Sequence, residues 1–120
     1  MGQPRSQFRW YNVTMFTYTA VVERVIDGDT IDVHIDLGFD IWHSVRLRFL
    51  GLDAPEMNTP EGKAAKVYVR DHLEGETVTI VTHKTDKYGR YLAEIFQREQ
   101  SFNKALIDLG FAVPYDGGKR

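Results

Sequence analysis

The feature that most constrains the fold is one change of period in an otherwise strand-like sequence. Residues 59–75 place apolar side chains every three to four positions, as an α-helix does. The other long segments alternate apolar and polar residues and are rich in β-branched and aromatic types. These strand-like segments are 15–26, 30–37, 41–52, 76–84 and 91–97. A short helical stripe at 101–110 completes the predicted order β-β-β-α-β-β-α.

Turn and cap signals agree with this order. Asp27-Gly28 is a two-residue hairpin signal between the first two strands, and residues 38–40 form the next turn. Thr59, Pro60 and Gly75 suit the N-cap, the first position and the end of the helix. Five strands with a helix between the third and fourth are the layout of an OB-type β-barrel. The predicted fold class is therefore mainly β with helices (α+β).

Composition narrows the function classes. The 120 residues predict one domain, 15–120, after an N-terminal arm or leader at 1–14. Cysteine is absent, which excludes disulfides and thiolate sites, and no apolar run could span a membrane. Because residues 1–14 lack the apolar centre of a signal peptide, we expect a cytoplasmic protein as the sequence is written. The net charge of −2 means that any phosphate must be held locally.

The first acidic cluster lies in the turn before the second strand. Asp27 and Asp29 flank Gly28, and aspartate beside glycine is also common in plain hairpin turns. Asp29, however, shares the parity of the apolar residues Ile31 and Val33. It should therefore point toward the barrel, where a carboxylate requires a charged or hydrogen-bonding neighbour.

A second cluster follows the third strand. Asp53 and Glu56 have the spacing of a capping box, which is the alternative to a functional role. Arg48 lies in the most apolar strand, and a buried arginine needs an anion. That anion could be Asp53, Glu56 or a substrate phosphate. A third cluster ends in Arg90, after a turn that would place Gly89 in a left-handed conformation.

Two of these aspartates are predicted to meet. Asp29 is expected to start the second strand and Asp53 to end the third, and in an antiparallel pair these ends are adjacent. Two carboxylates without cysteine or a suitable histidine favour Ca²⁺ or Mg²⁺ over Zn²⁺. The sequence therefore predicts an oxygen-ligand cation site at one end of the barrel.

Four segments in order resemble the staphylococcal nuclease (thermonuclease) family over about residues 20–115. They are "VIDGDTIDV", "VRLRFLGLDAPE", "TDKYGRYLAEIF" and "FNKALIDLGFA". The resemblance implies an OB-barrel and a calcium-dependent phosphodiesterase that acts on DNA and RNA and leaves 3′-phosphates. The cofactor that it implies is Ca²⁺, and the implied partner is a nucleic acid substrate.

The resemblance also implies roles for individual residues. Asp29, Asp53 and the Ala54 backbone carbonyl look like Ca²⁺ ligands, with Asp27 close by outside the direct ligands. The implied catalytic residues are the phosphate-binding arginines Arg48 and Arg90 and the general base Glu56. The implied substrate-binding residues are Lys87, Tyr88 and Tyr115.

The sequence departs from the family pattern at its end, and other readings stay open. The usual C-terminal helix has no counterpart after Tyr115, so residues 8–11, "FRWY", are a candidate cover for the barrel or a dimer contact. We expect a monomer or weak homodimer without membrane association. The rival function is a non-catalytic OB-type module that binds nucleic acid or protein.

Overall fold

A computed structural model describes residues 16–83, 85–86 and 88–116 of the chain. The strands are β1 (Phe16–Asp27), β2 (Thr30–Asp36), β3 (Trp42–Phe49), β4 (Leu52–Asp53), β5 (Thr77–His83), β6 (Tyr91–Gln97), β7 (Gln100–Ser101) and β8 (Val113–Pro114). The helices are α1 (Pro60–Leu73) and α2 (Phe102–Asp108). The five long strands and both helices were predicted from the sequence, in this order.

The first three long strands form an antiparallel meander. β1 pairs with β2 and β2 with β3, and Thr30 lies opposite Arg48 in the second pairing. The strands alternate as expected, because Ile31, Val33 and Ile35 are buried while the residues between them are half-buried. The meander therefore brings the turn after β1 beside the end of β3.

The barrel closes through a pairing that joins distant parts of the chain. β5 pairs with β1 and β6 pairs with β5, both antiparallel. The end of β3 then runs parallel to the start of β6, with Leu47 opposite Tyr91 and Arg48 opposite Leu92. This closure yields a five-stranded barrel whose interior holds the core. Its largest fully buried side chains include Phe49, Ile31, Leu47, Leu52, Ile80 and Ile95.

Helix α1 packs against β1 and starts as the sequence predicts. The Thr59 hydroxyl accepts a hydrogen bond from the Gly62 amide at 3.0 Å, and Pro60 occupies the first turn. Ala65, Val69 and Leu73 form the buried face. In α2, Phe102 and Leu106 are buried in the same way.

The prediction of one continuous strand over 41–52 is wrong. β3 ends at Phe49 because the chain turns at Gly51, whose φ of +83° suits a residue without a side chain. Asp53 therefore belongs to the separate strand β4, which pairs with β8. Residues after α2 thus include a strand that is anchored beside Asp53, where the sequence indicated only a tail.

Other expectations stay predictions. The N-terminal arm at 1–14 and its "FRWY" segment lie outside the described residues, and assembly and cellular location are untested. Within the described part of the chain, α1 and α2 are the helices, and β8 is the element that follows α2. Neither helix is long and apolar enough to cross a membrane.

Candidate active site

Asp29 lies in the turn between β1 and β2, one residue before β2 begins at Thr30, whereas the sequence predicted that it would start the strand. It is 9% exposed, and its carbonyl accepts a hydrogen bond from the Phe49 amide at 2.9 Å. Its own amide donates to Asp27 Oδ1 at 3.1 Å, and the Thr30 hydroxyl donates to Asp29 Oδ1 at 3.1 Å. The turn therefore holds the Asp29 carboxylate in a buried position at this end of the barrel.

The hairpin predicted at Asp27-Gly28 is confirmed, because Asp27 pairs with Thr30 across a two-residue turn between β1 and β2. Gly28 is not among the glycines with a left-handed φ, so the backbone conformation does not explain the glycine at this position. A Cβ atom at Gly28 would instead lie 2.9 Å from the Cβ atoms of both Ala54 and Ala65. Gly28 thus allows α1 and the segment after β4 to approach the acidic turn closely.

Arg48 joins the two predicted metal ligands. Its Nη2 atom donates to Asp53 Oδ1 at 2.8 Å and to Asp29 Oδ2 at 3.3 Å, and Nη1 donates to the Leu52 carbonyl at 3.2 Å. The Ala54 amide also donates to Asp29 Oδ2, at 3.1 Å. Asp53 was one of the anions predicted for this buried arginine, whereas the bond to Asp29 was not foreseen. The prediction that Asp29 and Asp53 meet is thus consistent with the structure, although β4 rather than β3 carries Asp53.

Arg90 is held by its own loop. Its Nε atom donates to Asp86 Oδ2 at 2.8 Å, and Asp86 Oδ1 accepts from the amides of Tyr88 and Arg90 at 2.9 Å each. Gly89 has a φ of +81°, as the hairpin reading predicted. The Arg90 guanidinium lies 5.3 Å from the centre of the Tyr88 ring. Asp86, the first residue of the third cluster, had no predicted role, and these contacts show that it orients Arg90.

One cavity connects the two arginines. Its volume is about 280 Å³, and Arg46, Arg48 and Arg90 all line it. The parallel pairing of β3 with β6 creates this arrangement, because it places the start of β6 beside Arg48. Arg46 was missed from the sequence; it also pairs with Asp32 at 2.8 Å on the outer face of the meander. We call this space the arginine cavity.

The remaining predicted site residues are less closely connected. Tyr115 lies over Arg48, with the guanidinium 5.7 Å from its ring centre, and its amide donates to the Gly51 carbonyl at 2.9 Å. Glu56 is exposed, and its carboxylate makes no hydrogen bond or ion pair with residues that the structure describes. Lys87 lies outside the described residues.

Comparison with known proteins identifies the family. A family model described as Staphylococcal nuclease homologue matches residues 46–119. The chain belongs to this family. It is 40% identical to a thermonuclease of Staphylococcus intermedius over 77% of this chain, and 37% identical to a thermonuclease of Staphylococcus hyicus over 84%. It is also 32% identical to an uncharacterized endonuclease of Escherichia coli O157:H7 over 79% of its length.

The chain spans a little more than half the length of those relatives. The matched region spans 56% of the Staphylococcus intermedius protein and 60% of each of the other two. The region matched by the family model contains Arg46, Arg48, Asp53, Glu56, Arg90 and all of α1. It begins after the acidic turn that carries Asp27 and Asp29.

The donor chemistry of the acidic pair suits the cation that the family implies. Asp29 and Asp53 both direct a carboxylate oxygen at one guanidinium nitrogen, so this position already holds positive charge. Hard oxygen donors of this kind favour Ca²⁺ or Mg²⁺. No group of three or more His, Asp or Glu side chains that could hold a metal occurs among residues 16–83, 85–86 and 88–116. A bound cation would therefore compete with Arg48 for the acidic pair and take further ligands from backbone, water or substrate.

Asp27 is the acidic residue of the turn whose pKa is raised. Burial, followed by its contact with the Asp29 carboxylate, raises the pKa of Asp27 from 3.8 to about 6. The folded protein therefore holds a proton on Asp27 that the unfolded chain releases at lower pH. As the pH rises from about 4 to about 6, this residue alone makes the folded state less stable.

Asp27→Asn should reverse that penalty when divalent cations are chelated. We expect the variant to gain on the order of 1 kcal/mol over the parent at pH 7 and nothing at pH 4, because asparagine carries no charge to desolvate. Urea denaturation across this pH range measures the difference. Asp32→Asn is the control of opposite sign: because Arg46 lowers the pKa of Asp32 below 3.8, its loss should destabilise throughout pH 4–7, and this cost should fade only as the pH falls below about 4. A gain for Asp27→Asn that does not vary with pH would contradict the assignment.

Proposed function

We propose that this staphylococcal nuclease homologue is a Ca²⁺-dependent nuclease. It hydrolyses phosphodiester bonds of DNA, RNA or both with little sequence specificity and leaves 3′-phosphate ends. The observation that carries the proposal is the arginine cavity, where Arg48 from β3 and Arg90 from the loop before β6 line one space beside Asp29 and Asp53. A phosphodiester is an anion, and attack on it requires that its charge first be neutralised.

The two arginines are suited to hold the reacting phosphate. Guanidinium groups donate paired hydrogen bonds to phosphoryl oxygens, and these bonds strengthen as charge develops in the transition state. Arg90 is held in place by Asp86, so little side-chain entropy is lost when it binds the phosphate. Arg48 would exchange its bonds with Asp29 and Asp53 for bonds with the phosphate.

A divalent cation would be held by Asp29, Asp53 and the Ala54 carbonyl, and when bound it would supply positive charge beside a phosphoryl oxygen. Asp27 lies next to Asp29 and would add negative charge without direct ligation. Glu56 is exposed to solvent and is the group proposed to take a proton from the attacking water. The water oxygen bonds to phosphorus, the bond to the 5′-oxygen breaks, and the 5′-oxygen takes a proton from solvent.

Substrate contacts outside the reacting phosphate are proposed for Lys87, Tyr88 and Tyr115. Tyr88 is 71% exposed beside Arg90, and Tyr115 lies over Arg48. Aromatic rings stack on any base because every base has a π-face, which accounts for weak sequence preference. The lysine would bind phosphate through charge alone.

A cleavage assay tests the proposal directly. Single-stranded DNA and RNA are incubated with folded protein in Ca²⁺ and in chelator, and the product ends are analysed. We expect cleavage only with Ca²⁺ and products that carry 3′-phosphates. Binding of the oligonucleotide without cleavage would instead support the non-catalytic OB-type module.

Two substitutions test the assigned roles. Glu56→Gln and Arg90→Ala should each lower turnover more than about tenfold while the fold persists, because one removes a base and the other a phosphate ligand. Steady-state kinetics and circular dichroism measure the two properties. Glu61→Gln and Arg98→Ala are matched controls at exposed positions outside the cavity and should keep parental turnover. Full activity in Glu56→Gln or Arg90→Ala would remove that residue from the mechanism.

A further inference from the structure

A second cavity adjoins the arginine cavity and has the opposite chemistry. Its volume is about 390 Å³, and its walls include the aliphatic side chains of Ile35, Val45 and Leu47 and the ring of Phe16. The polar groups that reach it include His43, so hydrogen-bonding atoms are present beside the apolar walls. We call this space the apolar cavity. Neither the family resemblance nor the comparisons assign it a role.

The apolar cavity arises from the way the barrel closes. β3 pairs with β6 only over Leu47–Phe49. The first half of β3 therefore makes no hydrogen-bonded pairs with β6. The inward face of the β2–β3 hairpin is therefore uncovered beyond Leu47, where Val45 is half-buried. Phe16 at the start of β1 forms another wall and is 54% exposed.

The two cavities share a wall, which determines what kind of ligand fits both. Val45, Leu47 and Tyr91 line each of them. Tyr91 directly follows Arg90, is 52% exposed and lines both cavities, so it lies at the boundary between the guanidinium groups and the apolar walls. A ligand that fills both spaces must have an anionic group joined closely to an uncharged, flat group. A nucleotide has this construction, since its phosphate and base are linked through one sugar.

We propose that the apolar cavity is a nucleobase subsite for a nucleotide next to the phosphate held by Arg48 and Arg90. This inference rests on the proposed function, because it takes a nucleic acid strand as the ligand. The Tyr91 ring stacks against the base, and the aliphatic wall of Val45 and Ile35 covers it. His43 reaches the edge of the base from β3. The volume of the apolar cavity, about 390 Å³, lies within the range of about 300–1,000 Å³ that is usual for small-molecule sites.

The subsite differs from the contacts proposed for Tyr88 and Tyr115. Those rings lie over Arg90 and Arg48 themselves, whereas Tyr91 and His43 face the space beyond the arginines. The strand would therefore be held by bases on more than one side of the reacting phosphate. Because stacking and aliphatic contact do not read a base pattern, the subsite adds affinity with little sequence preference.

Equilibrium binding can measure the contribution of the base without any cleavage. Thymidine 3′,5′-bisphosphate and the same sugar bisphosphate without a base are titrated into the full chain with Ca²⁺ present. We expect the base to tighten binding about 5- to 100-fold, as one stacked base commonly does. The ratio of the two dissociation constants, without and with the base, measures its contribution. Tyr91→Ala and His43→Ala should each reduce this ratio at least threefold, and Tyr91→Phe should retain it because the ring remains.

The variants are chosen so that a structural defect cannot imitate the result. Tyr91 and His43 are exposed, so truncation should leave the fold intact, and His43 does not line the arginine cavity. Phe39→Ala is the matched control, since this ring is 96% exposed at the tip of the β2–β3 hairpin and should leave the ratio unchanged. Binding of the base-free bisphosphate should change little in His43→Ala.

Three outcomes would overturn the subsite. The first is equal affinity for the two bisphosphates, and the second is a ratio that is unchanged in both Tyr91→Ala and His43→Ala. The third is a dimer, seen in sedimentation, that these two variants dissociate. That result would assign the cavity to a second copy of the chain. Failure of the proposed function is distinguishable, because it would appear as absence of cleavage while base-dependent binding persists. Cleavage with a ratio near one would keep the nuclease and remove the subsite.

Discussion

Arg48→Met is expected to lower the free energy of unfolding by about 2–4 kcal/mol when divalent cations are chelated. The guanidinium is buried and donates to Asp29 and Asp53, so its loss leaves two carboxylates facing each other at the barrel end. Methionine keeps much of the side-chain volume and removes the charge. Urea denaturation at pH 7 measures the change.

Arg46→Met is the matched control on the same strand. Arg46 donates to Asp32 at 2.8 Å, but its side chain is 57% exposed, and exposed pairs contribute only about 0–1 kcal/mol. The two substitutions are therefore expected to differ greatly in how much they lower the free energy of unfolding, although the arginines are only two positions apart. An equal decrease in the free energy of unfolding in the two variants would show that the buried contacts of Arg48 with Asp29 and Asp53 contribute no more than an exposed ion pair.

The same variant separates the acidic pair from the phosphate-binding role. With Arg48 absent, Ca²⁺ no longer competes with a guanidinium, so millimolar Ca²⁺ should stabilise Arg48→Met more than it stabilises the parent. Nuclease turnover should nevertheless fall about 10²-fold or more, because the cation cannot replace the hydrogen bonds to the phosphate. Equal Ca²⁺ stabilisation of both proteins would count against Asp29 and Asp53 as ligands.

The long elements could be predicted because their signals are local. Alternation gave the five strands, and Thr59, Pro60 and Gly75 gave the limits of α1 within about two residues. The positive φ at Gly51 was not recognised, because glycine in an apolar segment also occurs within strands. As a result the sequence reading extended β3 through β4 and left the strand pairing of β8 unpredicted.

The candidate site depended on contacts between residues far apart in the chain. Alternation and turn rules predicted that Asp29 would lie near Asp53, because consecutive strands of a meander pair with each other. No local rule specifies that β3 also pairs with β6, and this pairing is what brings Arg48 and Arg90 to one cavity. Tyr91 was missed for the same reason, since the alternation of β6 gives no sign that a cavity lies beside its first residue.

Gly62→Ala is expected to destabilise the protein by about 2 kcal/mol. Helix propensity alone would predict the opposite sign. Inside a helix alanine is normally favoured over glycine by about 1 kcal/mol. A Cβ atom at Gly62, however, would lie 1.9 Å from the Glu56 carbonyl oxygen and 2.9 Å from that of Pro55. Both contacts are with backbone atoms, so relief requires that α1 and the segment carrying Glu56 move apart.

That movement gives the substitution a second effect, on turnover. Thr59 ties the same segment to α1, since its hydroxyl donates to the Glu56 carbonyl at 2.6 Å. We expect kcat of Gly62→Ala to fall about tenfold or more at a temperature where the variant is folded, with KM less affected, because Glu56 is displaced from the attacking water. Ala64→Gly, at an exposed position of α1, should cost about 1 kcal/mol and leave kcat unchanged. Adding Gly62→Ala to Glu56→Gln should cost little further activity, because the base is already absent. A full additional tenfold loss in that double variant would mean that Gly62 acts on the reaction through some other residue.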